Sequence, residues 1–476
     1  MKRYKRVVIL AAVLVVACIA TFALSQYEQE QEQIRTSDEI ILQIPSENVL
    51  SVSWDYSGGG SLTFNKTDAG WIYQDDEAFP VSEKKIMDIL EHFEEYGVSF
   101  VIEDVTDYAQ YGLDEPECTL HLTTSERSYD IKMGDFSKMD EQRYISIGDG
   151  KVYLVNKDPM DYVSSSLSNM ILHDDTPGFE KVVDITFVGS ENYTIVRTEE
   201  STDTYNPEDD IYFVERDGKT VPLNTASVKT FLNTITSLDL LTYATYNATE
   251  DELKTFGLDK PMLSVTVNYT YTNDDGETVS DTCVIHISEN PEERAASDAA
   301  VAEGNASTAV TKYVRIGDSQ IVYTMDDTDF AILKAVSYND LRHKTLFWGD
   351  FETVTQIDIA LEGECHTLTY AMKNTEDKDS DYAWFYGEEI ITIDKIQSAL
   401  ESLSSSSFTD ELPAKDAEIG ITLHLNNENF PTVEIGLYRY DGSLCLAVVD
   451  GDPVSLVSRS SVMNLVEAVQ AIVLNG

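Results

Sequence analysis

The sequence predicts an α+β protein: an N-terminal transmembrane helix, then three tandem repeats, each a mostly antiparallel sheet with two longer helices. Three observations predict it. Residues 7–24, VVILAAVLVVACIATFAL, carry no charge. YGLDEPECTL at 111–120 returns as FGLDKPMLSV at 256–265, 145 positions later. Each third of the remaining chain also runs through the same succession of alternating strands and an amphipathic helix.

Taken in order, residues 1–6 are a basic flank with Lys2, Arg3, Lys5 and Arg6. The uncharged run behind it would span ~27 Å as a helix, close to a bilayer core. Basic flanks stay in the cytoplasm, so the rest of the chain is expected on the extracytoplasmic side of the cell membrane, tethered by a single pass. LVVAC ends at Cys18 like a lipoprotein signal, yet IATFAL continues the apolar run beyond it. An uncleaved anchor over 7–24 is therefore the expectation, with lipidation of Cys18 or signal cleavage as the alternatives. The polar, low-complexity residues 25–45 read as a stalk.

The repeats are expected at 46–175, 178–345 and 350–476. Each opens with a half-buried strand, ENVLSVSW at 47, EKVVDITF at 180 and ETVTQIDI at 352. A second strand and an aromatic one follow, the latter being WIYQ, IYFVE and AWFYG. Next comes a helix with one apolar stripe. Ile86, Ile89, Leu90 and Phe93 form it in the first copy, Val228, Phe231, Leu232 and Ile235 in the second, and Ile396, Ala399, Leu400 and Leu403 in the third. Ser82, Asn224 and Thr392 stand where N-caps belong.

The recurring phrase is a structural joint. TDYAQYG and TEDELKTFG read as short helices ending at Gly112 and Gly257, which suit the left-handed position after a helix. Thr249 with Glu252 has capping-box spacing. Asp-x-Pro then stops the helix and starts a strand. A second shared phrase, YISIGDGKVYLV at 144 and YVRIGDSQIVYTM at 313, predicts a hairpin. Closing helices are expected in DYVSSSLSNMI, DFAILKAVSYNDL and SRSSVMNLVEAVQAI. The third copy is degenerate, with AEIGITLHL in place of the joint and LCLAVVDGD in place of the hairpin. The second carries an Ala-rich insertion near 289–311, expected as an exposed loop.

Composition limits function. The 476 residues hold 85 acids against 33 bases, a net charge of −52, which repels nucleic-acid phosphates. The five cysteines lack zinc spacing: Cys18 sits in the anchor, and those at 118, 283, 365 and 445 read as buried free thiols, with a Cys365–Cys445 disulfide as an open alternative. His121, His286 and His424 each lie on a strand face opposite apolar neighbours and read as solvated. SGGGS at 57–61 reads as a hairpin turn, because no helix or lysine follows it. Asp377, Asp379, Asp381 and Glu388 match positions 1, 3, 5 and 12 of a calcium loop, but Tyr382 stands where glycine is needed. Most of the 26 tyrosines and four tryptophans alternate along strands and read as packing residues. No catalytic, cofactor-binding or metal-binding residue is assigned, no cofactor is expected, and the chain is expected not to be an enzyme.

Trp71 in GWIY, the phrases YGLDEP and FGLDKP, and the pair RYISIG and KYVRIG carry a resemblance. They resemble a bacterial family of membrane-anchored extracytoplasmic proteins, domain of unknown function four-three-four-zero. The resemblance implies an accessory role beside an ABC transporter similar to the gliding-motility type. The expectation is a single-pass interaction protein whose partners are the membrane and ABC transporter subunits, with no nucleic acid. The alternative is an extracellular ligand-binding module for a glycan, peptide or cation.

Overall fold

The computed structural model describes Thr21 and residues 39–474, apart from 104, 217, 335 and 374–381. The chain separates into two compact units, one up to Asp174 and one from Asp175 onward.

In the first unit, β1 (Glu39–Leu42) precedes β2 (Val49–Tyr56), β3 (Ser61–Thr67) and β4 (Gly70–Tyr73). Helix α1 (Glu83–His92) leads to β5 (Tyr96–Val98) and β6 (Phe100–Ile102). The remaining strands are β7 (Cys118–Thr124), β8 (Ser128–Ser137), β9 (Gln142–Ser146) and β10 (Val152–Val155). Eight of these form an antiparallel sheet of order β4-β3-β2-β7-β8-β9-β10-β6, while β1 pairs separately with β5. Alternation makes the core: Val52 and Trp54 on β2 stand opposite Leu122 and Leu120 on β7, and all four are fully buried. Each such large side chain contributes about 1.5–3 kcal/mol. The β2–β3 turn uses Gly59 and Gly60 at positive φ. Ser82 caps α1, its Oγ accepting from Lys85 N.

The second unit holds two nine-stranded antiparallel sheets. The first contains β11 (Lys181–Val188), β12 (Asn192–Arg197), β13 (Tyr212–Arg216), β14 (Lys219–Pro222) and, after helix α2 (Thr225–Thr236), β15 (Tyr243–Thr245). After α3 (Glu250–Thr255) come β16 (Leu263–Thr272) and β17 (Thr278–Glu289), then α4 (Pro291–Ala302), β18 (Lys312–Ile316) and β19 (Val322–Met325). Helices α5 (Asp327–Lys334) and α6 (Tyr338–Leu341) close it. The other sheet runs through β20 (Val354–Leu361), β21 (Glu364–Met372), β22 (Tyr382–Tyr386) and β23 (Glu389–Ile391), then helix α7 (Asp394–Glu401). It continues with β24 (Ser405–Phe408), β25 (Ala417–Leu425), β26 (Thr432–Arg439), β27 (Leu444–Val449) and β28 (Asp452–Ser458), and ends on α8 (Arg459–Val473).

The orders are β14-β13-β12-β11-β16-β17-β18-β19-β15 and β23-β22-β21-β20-β25-β26-β27-β28-β24. They are the same order, and the first unit's sheet follows it without the outermost strand. In each nine-stranded sheet a helix carries the chain from one edge to the far edge, and the next long strand returns to the middle. Register repeats too: Ile185 and Phe187 face Val267 and Val265, and Ile357 and Ile359 face Leu423 and Ile421.

The expected fold class is corrected. The molecule is dominated by its sheets, and among the described residues no helix is long and apolar enough to cross a membrane. The predicted anchor over 7–24 lies outside the described residues save Thr21, and the stalk lies outside them up to 38. Nor does every repeat have two longer helices. DYVSSSLSNMI forms only 3-10 turns, at Pro159–Asp161 and Leu167–Met170. Its carbonyls are taken elsewhere: Ser164 O accepts from Trp54 Nε1 at 2.8 Å and Val163 O from the Tyr56 hydroxyl at 3.1 Å. Ser164 Oγ meanwhile accepts from Ser166 N and Asn169 Nδ2, the local bonding that competes with a helix.

Two further expectations change. The Ala-rich insertion is a helix, α4, with Asn290 Oδ1 accepting from Glu292 N and Glu293 N and Pro291 in its first turn. Ser297 Oγ ties it down through Thr308. In the third repeat, α7 starts after Ile393 with no side-chain cap at Thr392, and the buried Ile393 anchors its start by packing instead.

Candidate functional site

Within the second unit, a cavity of about 730 Å³ opens between its two sheets. Four segments line it: the β11–β12 turn with Glu191, the β13–β14 hairpin with Arg216 and Lys219, the connector from Tyr338 to Trp348, and the far edge of the last sheet from Phe408 to Asp410 and Val449 to Ser455. The connector is held at both ends by backbone. Asn224 N donates to Leu341 O at 2.8 Å, and Ser405 N donates to Lys344 O at 2.7 Å.

Behind the connector lies a polar clasp. Asp210 is fully buried. Trp348 Nε1 donates to its Oδ2 at 2.9 Å and Thr204 Oγ1 donates to the same oxygen at 2.6 Å. His343 Nε2 stands 2.9 Å from Oδ1, with its ring stacked on Trp348 at 4.3 Å. Both Asp210 oxygens are thus engaged, so the group joins the sheets rather than acting as a free base. Tyr205 adds aromatic packing, stacked on Phe347 at 5.3 Å.

The charges along the cavity differ in how they are satisfied. Lys219 Nζ lies 2.6 Å from Asp452 Oδ2. Arg216 lies over the Tyr338 ring at 4.2 Å, and Arg342 over Tyr338 at 5.1 Å and Phe408 at 4.1 Å. Burial holds the Arg342 guanidinium below its ordinary proton affinity, and the neighbouring Arg216 charge adds to this.

A second feature is an apolar shelf on the last sheet. Tyr370, Met372 and Tyr382 are 41, 62 and 48% exposed. They share one face with Trp384, and Tyr370 lies 5.5 Å from Tyr382 and 5.4 Å from Trp384. The structural counterpart of Trp384 on β4 is Trp71, which is buried.

The residues singled out in the sequence fall elsewhere. His121 sits on an open strand face between Asp130 at 2.7 Å and Asp55 at 3.2 Å. His424 lies 2.7 Å from Asp358, and His286 Nδ1 lies 2.8 Å from Ser264 Oγ, where burial lowers its pKa. Cys118, Cys283, Cys365 and Cys445 are free, with Cys365 exposed and Cys445 buried. Burial pushes the thiols of Cys118, Cys283 and Cys445 up to about 12, 11 and 11. Cys18 and the calcium-loop residues Asp377, Asp379 and Asp381 lie outside the described residues. Gly112 and Gly257 adopt φ of 68° and 72°. Sequence reasoning missed Asp210, Arg216, Arg342 and His343. One signal was available: Arg342 and Lys344 flank a histidine, two cations within three residues of a strongly acidic chain.

No curated protein and no solved structure matches the chain. A family described as Domain of unknown function (DUF4340) matches twice, at residues 71–261 and 216–420. The starts, 71 and 216, are 145 positions apart, the same offset as the recurring joint. With residues 71–420 covered between them, the two matches place this chain in that family of domains of unknown function.

Proposed function

We propose that this protein is an extracytoplasmic interaction protein at the cell membrane, working by binding beside an ABC-type transporter rather than by chemistry. One observation carries the binding role: the exposed shelf of Tyr370, Met372 and Tyr382 against Trp384. Exposed aromatic and methionine side chains grouped on one face mark protein contact surfaces, because each buries a large apolar area when a partner covers it. The location is supported by the four basic residues ahead of the uncharged run 7–24. The transporter partner is what the family resemblance implies. Affinity purification of the tagged full chain from native membranes in mild detergent tests the proposal. Transporter subunits are expected to co-purify, and Tyr370→Glu with Tyr382→Glu is expected to release them. Recovery of no transporter subunit, or equal recovery with the double variant, refutes the reading.

A further inference from the structure

We propose that the cavity of the second unit is an anion site, in which Arg216 and Arg342 together take the carboxylate or phosphoryl group of a small ligand. The starting point is a pair of guanidinium groups whose neighbours are mostly π faces. Among the described residues neither is in an ion pair, and Arg342 has a single hydrogen bond, from Nη1 to Asn339 Oδ1 at 3.3 Å. Both stand over the ring of Tyr338, and Arg342 also stands over Phe408. Arg216 is exposed and Arg342 half-buried, and cation–π contact offsets only part of the cost of desolvating Arg342 beside a second positive charge.

The carboxylates around the cavity do not complete the pair. Asp452 is bound to Lys219, Glu191 accepts from Tyr338 N at 2.8 Å, and Asp450 accepts from Glu434 N at 2.8 Å. Asp410 lines the cavity and attracts Arg342 through space, without an ion pair among the described residues. A second, independent observation points to a ligand. Ser455 lines the same cavity, is fully buried, and its Oγ has no hydrogen-bond partner among the described residues. Buried hydroxyls are nearly always paired, so an unpaired one lining the same cavity as two arginines fits an oxyanion that is shared among them. A planar fork matches two coplanar oxygens, which carboxylate and phosphoryl groups both present. The chain's net charge of −52 repels large polyanions, which limits the class to small ones.

The inference goes beyond the transporter reading and is tested apart from it. Calorimetry of the full chain in detergent would use inorganic phosphate, N-acetyl-dialanine with a free carboxylate, and its amide. Saturable one-to-one binding of phosphate or of the peptide acid is expected below roughly 10 mM, with no binding of the amide. Phosphate alone would identify a phosphoryl ligand, and the peptide acid alone a carboxylate. Arg342→Lys keeps the charge and loses the fork, so it is expected to weaken binding about tenfold or more. Ser455→Ala, which removes one buried atom, is expected to weaken binding while leaving the circular dichroism unchanged. Bound anion is also expected to raise the melting temperature of the wild type and not that of Arg216→Gln/Arg342→Gln. The proposal is overturned if neither anion gives saturable heat, if the amide binds as well as the acid, or if the double variant binds like the wild type.

Discussion

His92 shows how one buried side chain sets a pH response. It packs edge-on against Phe93 and Tyr96, each at 5.0 Å, and stacks on Tyr162 at 4.4 Å. Burial pushes its pKa down from 6.5 to about 4, and the nearby Lys157 charge adds to this. The folded state therefore holds the neutral ring, while the unfolded chain protonates it first. The stabilisation is complete above pH 6.5 and is lost as pH falls toward 4. The amount at stake is on the order of 3 kcal/mol. Urea midpoints at pH 7 and pH 4.5 check it. His92→Phe is expected to lose less stability over that interval than the wild type, and parallel losses would refute the assignment.

At the scale of the element, the joint at Gly112 and Gly257 is the best-determined local structure. Leu113 N donates to Tyr108 O, and Leu258 N donates to Leu253 O, the long reach that closes a helix end. Thr249 and Glu252 form the capping box their spacing implies. Both glycines also press against a strand. A Cβ on Gly112 would stand 2.5 Å from Asp135 Oδ1 and 2.8 Å from Asp135 N, and one on Gly257 2.6 Å from Ser288 Oγ. Gly112→Ala and Gly257→Ala are each expected to cost about 2 kcal/mol or more. Gly148→Ala, at φ 79° with nothing within 4 Å, is the control, at about 1 kcal/mol. Denaturation midpoints that fail to separate the two classes would show that contact with the strand adds nothing.

A second element-scale feature appears only in three dimensions. Arg143 on β9 is buried and bonded to Glu117 and Asp158, both at 2.7 Å. Burial works against its charge, but those two bonds hold its proton affinity above normal. By sheet register, Glu418 takes the place of Glu117 in the last sheet and Cys445 that of Arg143. The balancing cation there is Arg459, 3.4 Å from Glu418 at the start of α8. The degenerate copy thus retains the acid and moves its partner, which no residue-by-residue comparison of the phrases could show.

On the scale of the whole molecule, the second unit depends on Asp210 to join its two sheets. Asp210→Ala would strand His343 and the indole N–H of Trp348 in a buried place. The expected loss is about 3 kcal/mol, seen as a lower urea midpoint of the full chain followed by tryptophan fluorescence. An unchanged midpoint would show that aromatic packing of Tyr205 and Phe347 holds the sheets without it.

The sequence by itself determined the periodic features. Alternating residues such as Val52 and Trp54, the stripe of α2, the caps at Ser82 and Asn224, and the glycine joints all depend on neighbours within a few positions. The tertiary structure decided the rest. DYVSSSLSNMI lost its helix because Trp54 and Tyr56, more than a hundred positions away, claim its carbonyls. The insertion gained one because Asn290 caps it and Thr308 returns to bind it. The cavity is built from the turn at Glu191, the β13–β14 strands at Arg216 and Lys219, a connector near 342 and a sheet edge near 455. Charge pairing and desolvation depend on such distant partners, and a local pattern carries no record of them.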